Sequence, residues 1–304
     1  MAAHGAKIVT EEKKSTTKTD VQNGKDAVDS APVSQTSSST VGAAPSTQKK
    51  KTETEETYIY QKYKNMGRCV IINNETFQEQ TGASTRQGTD VDAKAAKDVF
   101  EELGYEVTVY HDRTKKQMRN ILRDESDEDH TENSSFVCVI LSHGNEEGIF
   151  AVDGVVKLDS LTQCFKGDEC TSLLGKPKLF FLQACRGQKT DDGVDIIKGD
   201  AVDASVPEDT ETKSLPKEAD FLYAYSTPPG FYAWRSNCDG SWFIQALCES
   251  LREFKHLELM NIMTRVNNKV AAHKRSESNS SSFDGKKVVP CITSMLTKDW
   301  YFTK

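Results

Sequence analysis

The sequence predicts an α/β fold, a three-layer αβα sandwich with a mostly parallel central sheet, and three observations lead there. From Tyr58 onward, short apolar runs rich in β-branched and aromatic residues alternate with longer stretches of helical spacing. Several of the runs are apolar at every position, as strands covered on both faces must be. The alternation strand, helix, strand recurs, which implies βαβ units with helices on both sides of one sheet.

The elements follow in order. Arg68 to Asn73 (RCVIIN) is a short buried strand ending at Asn73-Asn74. Asp90 to Leu103 sets Ala95, Ala96, Val99, Phe100 and Leu103 at helical spacing, with Gly104 as its C-terminal cap. Tyr105 to Tyr110 alternates like a strand, and Thr114 opens a second amphipathic helix through Leu122. Phe136 to Leu141 (FVCVIL), Pro177 to Ala184 and Asp220 to Ser226 (DFLYAYS) are three more strands. Helices are expected over Ser241 to Phe254 and Leu257 to Ala272, and a last strand near Val288 to Leu296.

Two segments break this pattern. Residues 1–57 are Ser-, Thr-, Lys- and Gln-rich and hold no aromatic residue, so they cannot bury enough apolar surface to offset the entropy of ordering. Residues 188–216 carry Asp191, Asp192, Asp195, Asp200, Asp203, Glu208, Asp209 and Glu211 with few large apolar side chains. A structureless stretch of that length inside a compact region is functional or disordered.

Composition excludes whole classes. A net charge of -7 over 304 residues argues against a general nucleic-acid binder. No run approaches the ~18 apolar residues that cross a bilayer, and the polar N-terminus has no apolar signal region. Eight cysteines without CxxC pairs suit reduced thiols in the cytoplasm better than a disulfide scaffold or zinc site. With scattered histidines and no phosphate-cradling glycine loop, neither metal nor cofactor is expected.

The chemistry gathers at two strand ends. FVCVIL runs into Ser142-His143-Gly144, and KLFFL runs into Gln183-Ala184-Cys185-Arg186-Gly187. Either a lone His or a lone Cys is ordinarily a packed residue. Both at the carboxyl ends of parallel strands, where such sheets bind ligands, point to a thiol nucleophile with an imidazole base. The backbone N–H groups of Gly144 and Cys185 are natural donors for an oxyanion. No carboxylate is placed to orient His143, which leaves that task to a backbone carbonyl.

The motifs QACRG at 183–187, SHG at 142–144, GTDVDA at 88–93, EADFLYAYST at 218–227, GSWFIQALC at 240–248 and PCITSMLTK at 290–298 resemble the caspase family of cysteine proteases, executioner type. The resemblance runs from Tyr58 to the C-terminus, one caspase domain over 58–304. It implies a caspase-like fold and an endopeptidase cutting after aspartate at DxxD-type sites. Arg86, Gln183 and Arg235 match the positions that hold the P1 carboxylate, a role two guanidinium groups suit physically. Tyr232, Trp234 and Trp242 match aromatic subsite walls; Ser236 and Phe283 fall at outer-subsite positions. Ala233 stands where the family carries serine in its YSWR motif.

An enzyme of this specificity leaves marks in its own chain. Asp-Ala-Val-Asp occurs at 26–29 and again at 200–203. Asp29 then ends a removable prodomain (1–29), and Asp203 separates a large subunit (58–203) from a small one (204–304) within the processed linker. The resemblance further implies a dimer of large–small pairs joined across the last strand, activation by an upstream initiator caspase, and inhibitor-of-apoptosis proteins as partners. It places the protein in the cytoplasm and leaves nuclear entry open. A catalytically dead adaptor of the same fold would lack the Cys, the His or the arginines, and a peptidase cutting after Lys, Arg or Asn would lack the cationic pocket. This chain keeps all of them.

Overall fold

The computed structural model describes residues 58–193, 216–276 and 282–303. Elements run β1 (Asn65–Asn73), α1 (Thr89–Glu102), β2 (Glu106–His111), α2 (Lys115–Asp127) and β3 (Asn133–Leu141). A small hairpin, β4 (Ile149–Ala151) and β5 (Gly154–Val156), and the short α3 (Asp159–Thr162) lead to β6 (Lys178–Gln183). After the linker come β7 (Phe221–Tyr225), the short pair β8 (Arg235–Ser236) and β9 (Gly240–Ser241), α4 (Trp242–Phe254), α5 (Leu259–His273) and β10 (Cys291–Ser294).

Six strands form one sheet in the order β10-β7-β6-β3-β1-β2. All neighbours are parallel except β10, which joins β7 antiparallel at the edge. The αβα sandwich expected from the alternation is therefore the fold. Its two cores are read directly from the pleat: along β3, Val137, Val139 and Leu141 face one layer, and Phe136, Cys138 and Ile140 the other. The first core is closed by α1, α4 and α5 through Val99, Phe100, Ile244, Leu247, Ile262 and Val266. The second is closed by Met118 and Leu122 of α2 with Leu161 of α3.

Local signals explain most boundaries. Thr114 caps α2 in a capping box, its hydroxyl accepting from the Gln117 N–H while the Gln117 side chain accepts from the Thr114 N–H. That helix runs on to Asp127, five residues past the expected end, because its polar last turn meets solvent on one side and keeps Glu125 and Ser126 buried on the other. The α1 helix closes at Leu103 and Gly104, whose N–H donates to the Glu101 carbonyl. The last strand is shorter than expected, Cys291–Ser294, since only four residues pair with β7. The hairpin β4–β5 and α3 are too short to carry a periodicity and were not expected.

The linker also differs from expectation at its start. Lys189 forms a bridge with Phe231 and Asp191 one with Lys287, so residues 188–193 are held against the later half of the chain. The expected Asp203 boundary and the segment before Tyr58, with Asp29, lie outside the described residues. All eight cysteines are free thiols. Among the described residues, no helix is long and apolar enough to cross a membrane.

Register brings the strand ends together. Asn73 of β1 pairs with Leu141 of β3, and Leu141 pairs with Gln183 of β6. His143 and Cys185 therefore each lie two residues beyond a paired position on adjacent parallel strands, which stand about 4.8 Å apart. Behind them Phe180 of β6 is fully buried and stacks on Phe221 at 6.0 Å. Phe180→Ala should lower unfolding free energy by about 3–5 kcal/mol, read as a reduced denaturant midpoint at unchanged slope.

Candidate active site

A cavity of about 180 Å³ opens at the carboxyl edge of the sheet, lined by Arg86, Ser142, His143, Gln183, Ala184, Cys185, Ala233, Trp234 and Arg235. Six of the residues singled out from sequence, Arg86, His143, Gln183, Cys185, Trp234 and Arg235, thus converge in one place from four separate segments. The loop after β3 supplies His143, β6 and its loop supply Gln183 and Cys185, the loop before α1 supplies Arg86, and β8 supplies Arg235.

The imidazole is fixed from behind. His143 Nε2 donates to the Ser84 carbonyl at 2.8 Å. A carbonyl only accepts, so Nε2 carries the proton and Nδ1 keeps its lone pair. Phe77 packs on the ring at 5.1 Å and Phe150 meets it edge-on at 6.3 Å. Burial, helped by the Arg86 and Arg235 charges, holds this imidazole below its ordinary value, and it is neutral at pH 7.

Cys185 lies half-buried against the Ala233 peptide, whose N–H reaches Sγ at 3.3 Å and whose carbonyl lies 3.8 Å from it. Burial raises the thiol above its usual value despite the Ala233 N–H and the nearby arginines. Both shifts favour a neutral thiol beside a neutral imidazole over an ion pair. Gly144 approaches this loop so closely that a Cβ there would sit 2.4 Å from the Cys185 carbonyl oxygen. Its bridge with Ile149 uses the His143 carbonyl and the Asn145 N–H. Among the described residues the Gly144 and Cys185 N–H groups donate to no protein acceptor, as donors reserved for an oxyanion would.

Two guanidinium groups border the same cavity. Arg86 is 2% exposed, and its Nη1 donates to the Asn74 carbonyl at 3.0 Å and the Thr89 hydroxyl at 2.7 Å. Desolvation and then the Arg235 charge push its pKa down to about 10. Arg235 is half-buried, and its Nη1 is buried with no hydrogen-bond partner among the described residues. Gln183 Oε1 is also buried and unpartnered. Unsatisfied buried polar atoms are uncommon and call for a ligand or a function.

Beyond Trp234 and Arg235 a larger groove of about 650 Å³ runs along Ser236, Asp239, Trp242, Lys274, Arg275, Ser276 and Phe283. Trp234 stacks on Trp242 at 5.7 Å, and Phe283 meets Trp234 at 6.3 Å and Tyr232 at 5.6 Å. Ser236 lines this groove, but its hydroxyl is engaged in its own turn, donating to Asp239 at 3.0 Å and accepting from the Cys238 and Asp239 N–H groups.

A family model of the caspase domain matches residues 66–301. The chain belongs to the caspase family. It is 52% identical over 241 residues to Caspase-3 of Bos taurus, covering 79% of this chain and 86% of that protein. Caspase-3 of Mesocricetus auratus is 51% identical and that of Felis catus 52%, over the same share of this chain and 85% of each relative. As a caspase the chain is a cysteine-type endopeptidase cleaving after aspartate, and activation from a zymogen is typical of its family.

Sequence reasoning missed Ser84, Phe77, Phe150, Asn74 and Thr89. A backbone carbonyl carries no residue signature, and packing aromatics read as core, so only Thr89, inside GTDVDA, stood in a motif already singled out.

The neutral pair gives a pH signature. In the free enzyme, alkylation of Cys185 by iodoacetamide, followed by mass spectrometry of its peptide, should be slow at pH 7 and climb only above the free-thiol value of ~8.5. A rate plateau extending down to pH 5 would show an ion pair instead.

Proposed function

We propose that this caspase binds a substrate aspartate between Arg86, Gln183 and Arg235 and cleaves the following bond with Cys185 and His143. The observation that carries this reading is the pair of buried, unpartnered atoms, Arg235 Nη1 and Gln183 Oε1, beside the thiol. A carboxylate on a short stem completes the arginine, and rotation of the Gln183 amide turns its NH₂ toward the same ligand.

In this mechanism Nδ1 of His143 takes the Cys185 proton as sulfur attacks the carbonyl carbon. The Gly144 and Cys185 N–H groups stabilise the oxyanion, and the imidazolium then protonates the leaving amine. A thioester remains on Cys185, and water activated by the same imidazole hydrolyses it. Ser84 keeps the tautomer correct throughout. The groove along Tyr232, Trp234, Ser236, Trp242 and Phe283 holds the residues upstream of P1. With the Ser236 hydroxyl occupied by its own turn, Lys274 and Arg275 are the remaining groove cations for an acidic P4.

Processing at Asp29 and Asp203, both in Asp-Ala-Val-Asp, belongs to the same proposal, with large and small subunits remaining together. Pairing of two such units through β10 is supported by its position, an edge strand whose outer side faces no other strand among the described residues. An upstream initiator caspase and inhibitor-of-apoptosis proteins are the proposed partners, and the cytoplasm, with access to the nucleus, the proposed location.

On a peptide series varied at P1, Asp should exceed Asn and Lys by on the order of 10⁴-fold in kcat/KM, and Cys185→Ala should abolish turnover. Arg235→Ala should cost about 2–5 kcal/mol in kcat/KM; equal cleavage after Asp and Lys would refute the pocket. Mass spectrometry of an active preparation should find new termini at Ser30 and Ala204, and intact bonds there would refute the processing sites.

A further inference from the structure

The motif GTDVDA, residues 88–93, contains a carboxylate that neither catalysis nor substrate contact uses. Asp92 lies in the first turn of α1 with no exposed surface. No lysine or arginine bonds it among the described residues. Its oxygens instead accept the Ser241 N–H at 2.8 and 3.0 Å and the Gln245 Nε2 at 2.9 Å. Leaving a carboxylate buried without a paired cation is costly, so a local field must favour it.

Burial raises this carboxyl above its usual value, and what opposes that is first the Gln245 and Ser241 donors and then the Arg86 charge. Asp92 acts on both Arg86 and Arg235, and for Arg235 it is the foremost charge. The geometry is as direct. Ser241, whose N–H Asp92 holds, is the register partner of Arg235 in the β8–β9 pair. Gly240, at φ 82°, lies so close that a Cβ would come within 2.4 Å of Asp92 Oδ1, so the hairpin rests on the carboxylate itself. In the same motif Thr89 accepts from Arg86 Nη1 and donates to Asn73 Oδ1 at 2.7 Å. One short segment thus reaches both halves of the cationic slot.

We propose that Asp92 is a positioning residue of the aspartate pocket: it anchors the β8–β9 hairpin that carries Arg235 and supplies the buried negative charge that keeps two guanidinium groups side by side before substrate arrives. The inference rests on reading Arg86 and Arg235 as that pocket. Asp92 never touches the substrate. Its effect is on the shape of the empty slot, and therefore on binding more than on the chemical step.

The test is steady-state kinetics of the full chain, processed to its active form, on peptides with Asp or Glu at P1, with rates expressed per titrated active site. Asp92→Asn keeps an acceptor for Ser241 but removes the charge. It should raise KM for the Asp peptide roughly tenfold with kcat within about twofold, and narrow the preference for Asp over Glu. Asp92→Asn combined with Gln245→Glu returns a carboxylate to the same pocket and should recover most of the lost affinity. Wild-type KM and Asp/Glu preference in Asp92→Asn, with Arg235→Ala inactive, would overturn the inference alone; so would a double variant no better than the single. Full activity in Arg235→Ala would instead remove the pocket reading beneath it. If Asp92→Asn does not fold, Gln245→Leu loosens the same carboxylate without changing charge. It should raise KM by about two- to threefold, and an unchanged KM overturns the inference.

Discussion

The site depends on one electrostatic constraint, two guanidinium groups kept close together where little water reaches them. Such an arrangement is unfavourable in isolation, since desolvation and mutual repulsion act on both cations. The depressed Arg86 pKa records that cost, its largest cause burial and its next the Arg235 charge. Much of the surrounding structure serves to tolerate it. Asn74 and Thr89 take two of the Arg86 bonds, and Asp92 balances charge from behind. What is left unpaired belongs to residues lining the same cavity as the thiol, which is why a carboxylate is the ligand proposed for it. On the proposed reading of these arginines, specificity for an acidic P1 follows from the relief of a strain already present in the empty protein.

The same two charges shape the reactive pair. A cation near a thiol would ordinarily favour thiolate, yet burial outweighs it at Cys185 and the sulfhydryl remains protonated. At His143 burial and the arginines act in the same direction and keep the ring neutral. A neutral base beside a neutral thiol needs a substrate to align them. An entering carboxylate offsets the two positive charges, which eases formation of the imidazolium once the proton moves. In the proposed mechanism, binding energy at P1 is thereby coupled to the proton transfer, a direct route from specificity to rate.

How much of this was legible in the sequence follows from the type of signal each part leaves. Cys185 and His143 could be placed because strands announce themselves as apolar runs, and parallel strands end on a common edge. Arg86 stands on a loop and Arg235 on a two-residue strand, neither with any periodicity, and only the resemblance picked them from the other basic residues. The Ser84 carbonyl could not be read, because any residue supplies one. Ser236 lines the larger groove, while its engagement with Asp239 depends on a tight turn that two-residue strands do not advertise. The extension of α2 to Asp127 escaped for a related reason: a polar last turn looks like a loop until Glu125 is seen to be buried against Arg68.

The division of the site between two stretches of chain bears on what a cut in the linker can do. Arg86, His143, Gln183 and Cys185 precede it, and Ala233, Trp234, Arg235 and Trp242 follow it, so neither part holds a complete site. They cannot drift apart, since β6 and β7 pair over five residues at the centre of one sheet. Core residues from both sides of the linker also interleave against that sheet. Nearer the site, the N–H groups of Arg186, Lys189, Gly230 and Tyr232 exchange bonds across the same divide. Under the proposed cut this pairing would hold the scaffold together while the loops that end on it would gain freedom. Activation by proteolysis requires that combination, a rigid sheet under movable loops, and the topology of this chain provides it.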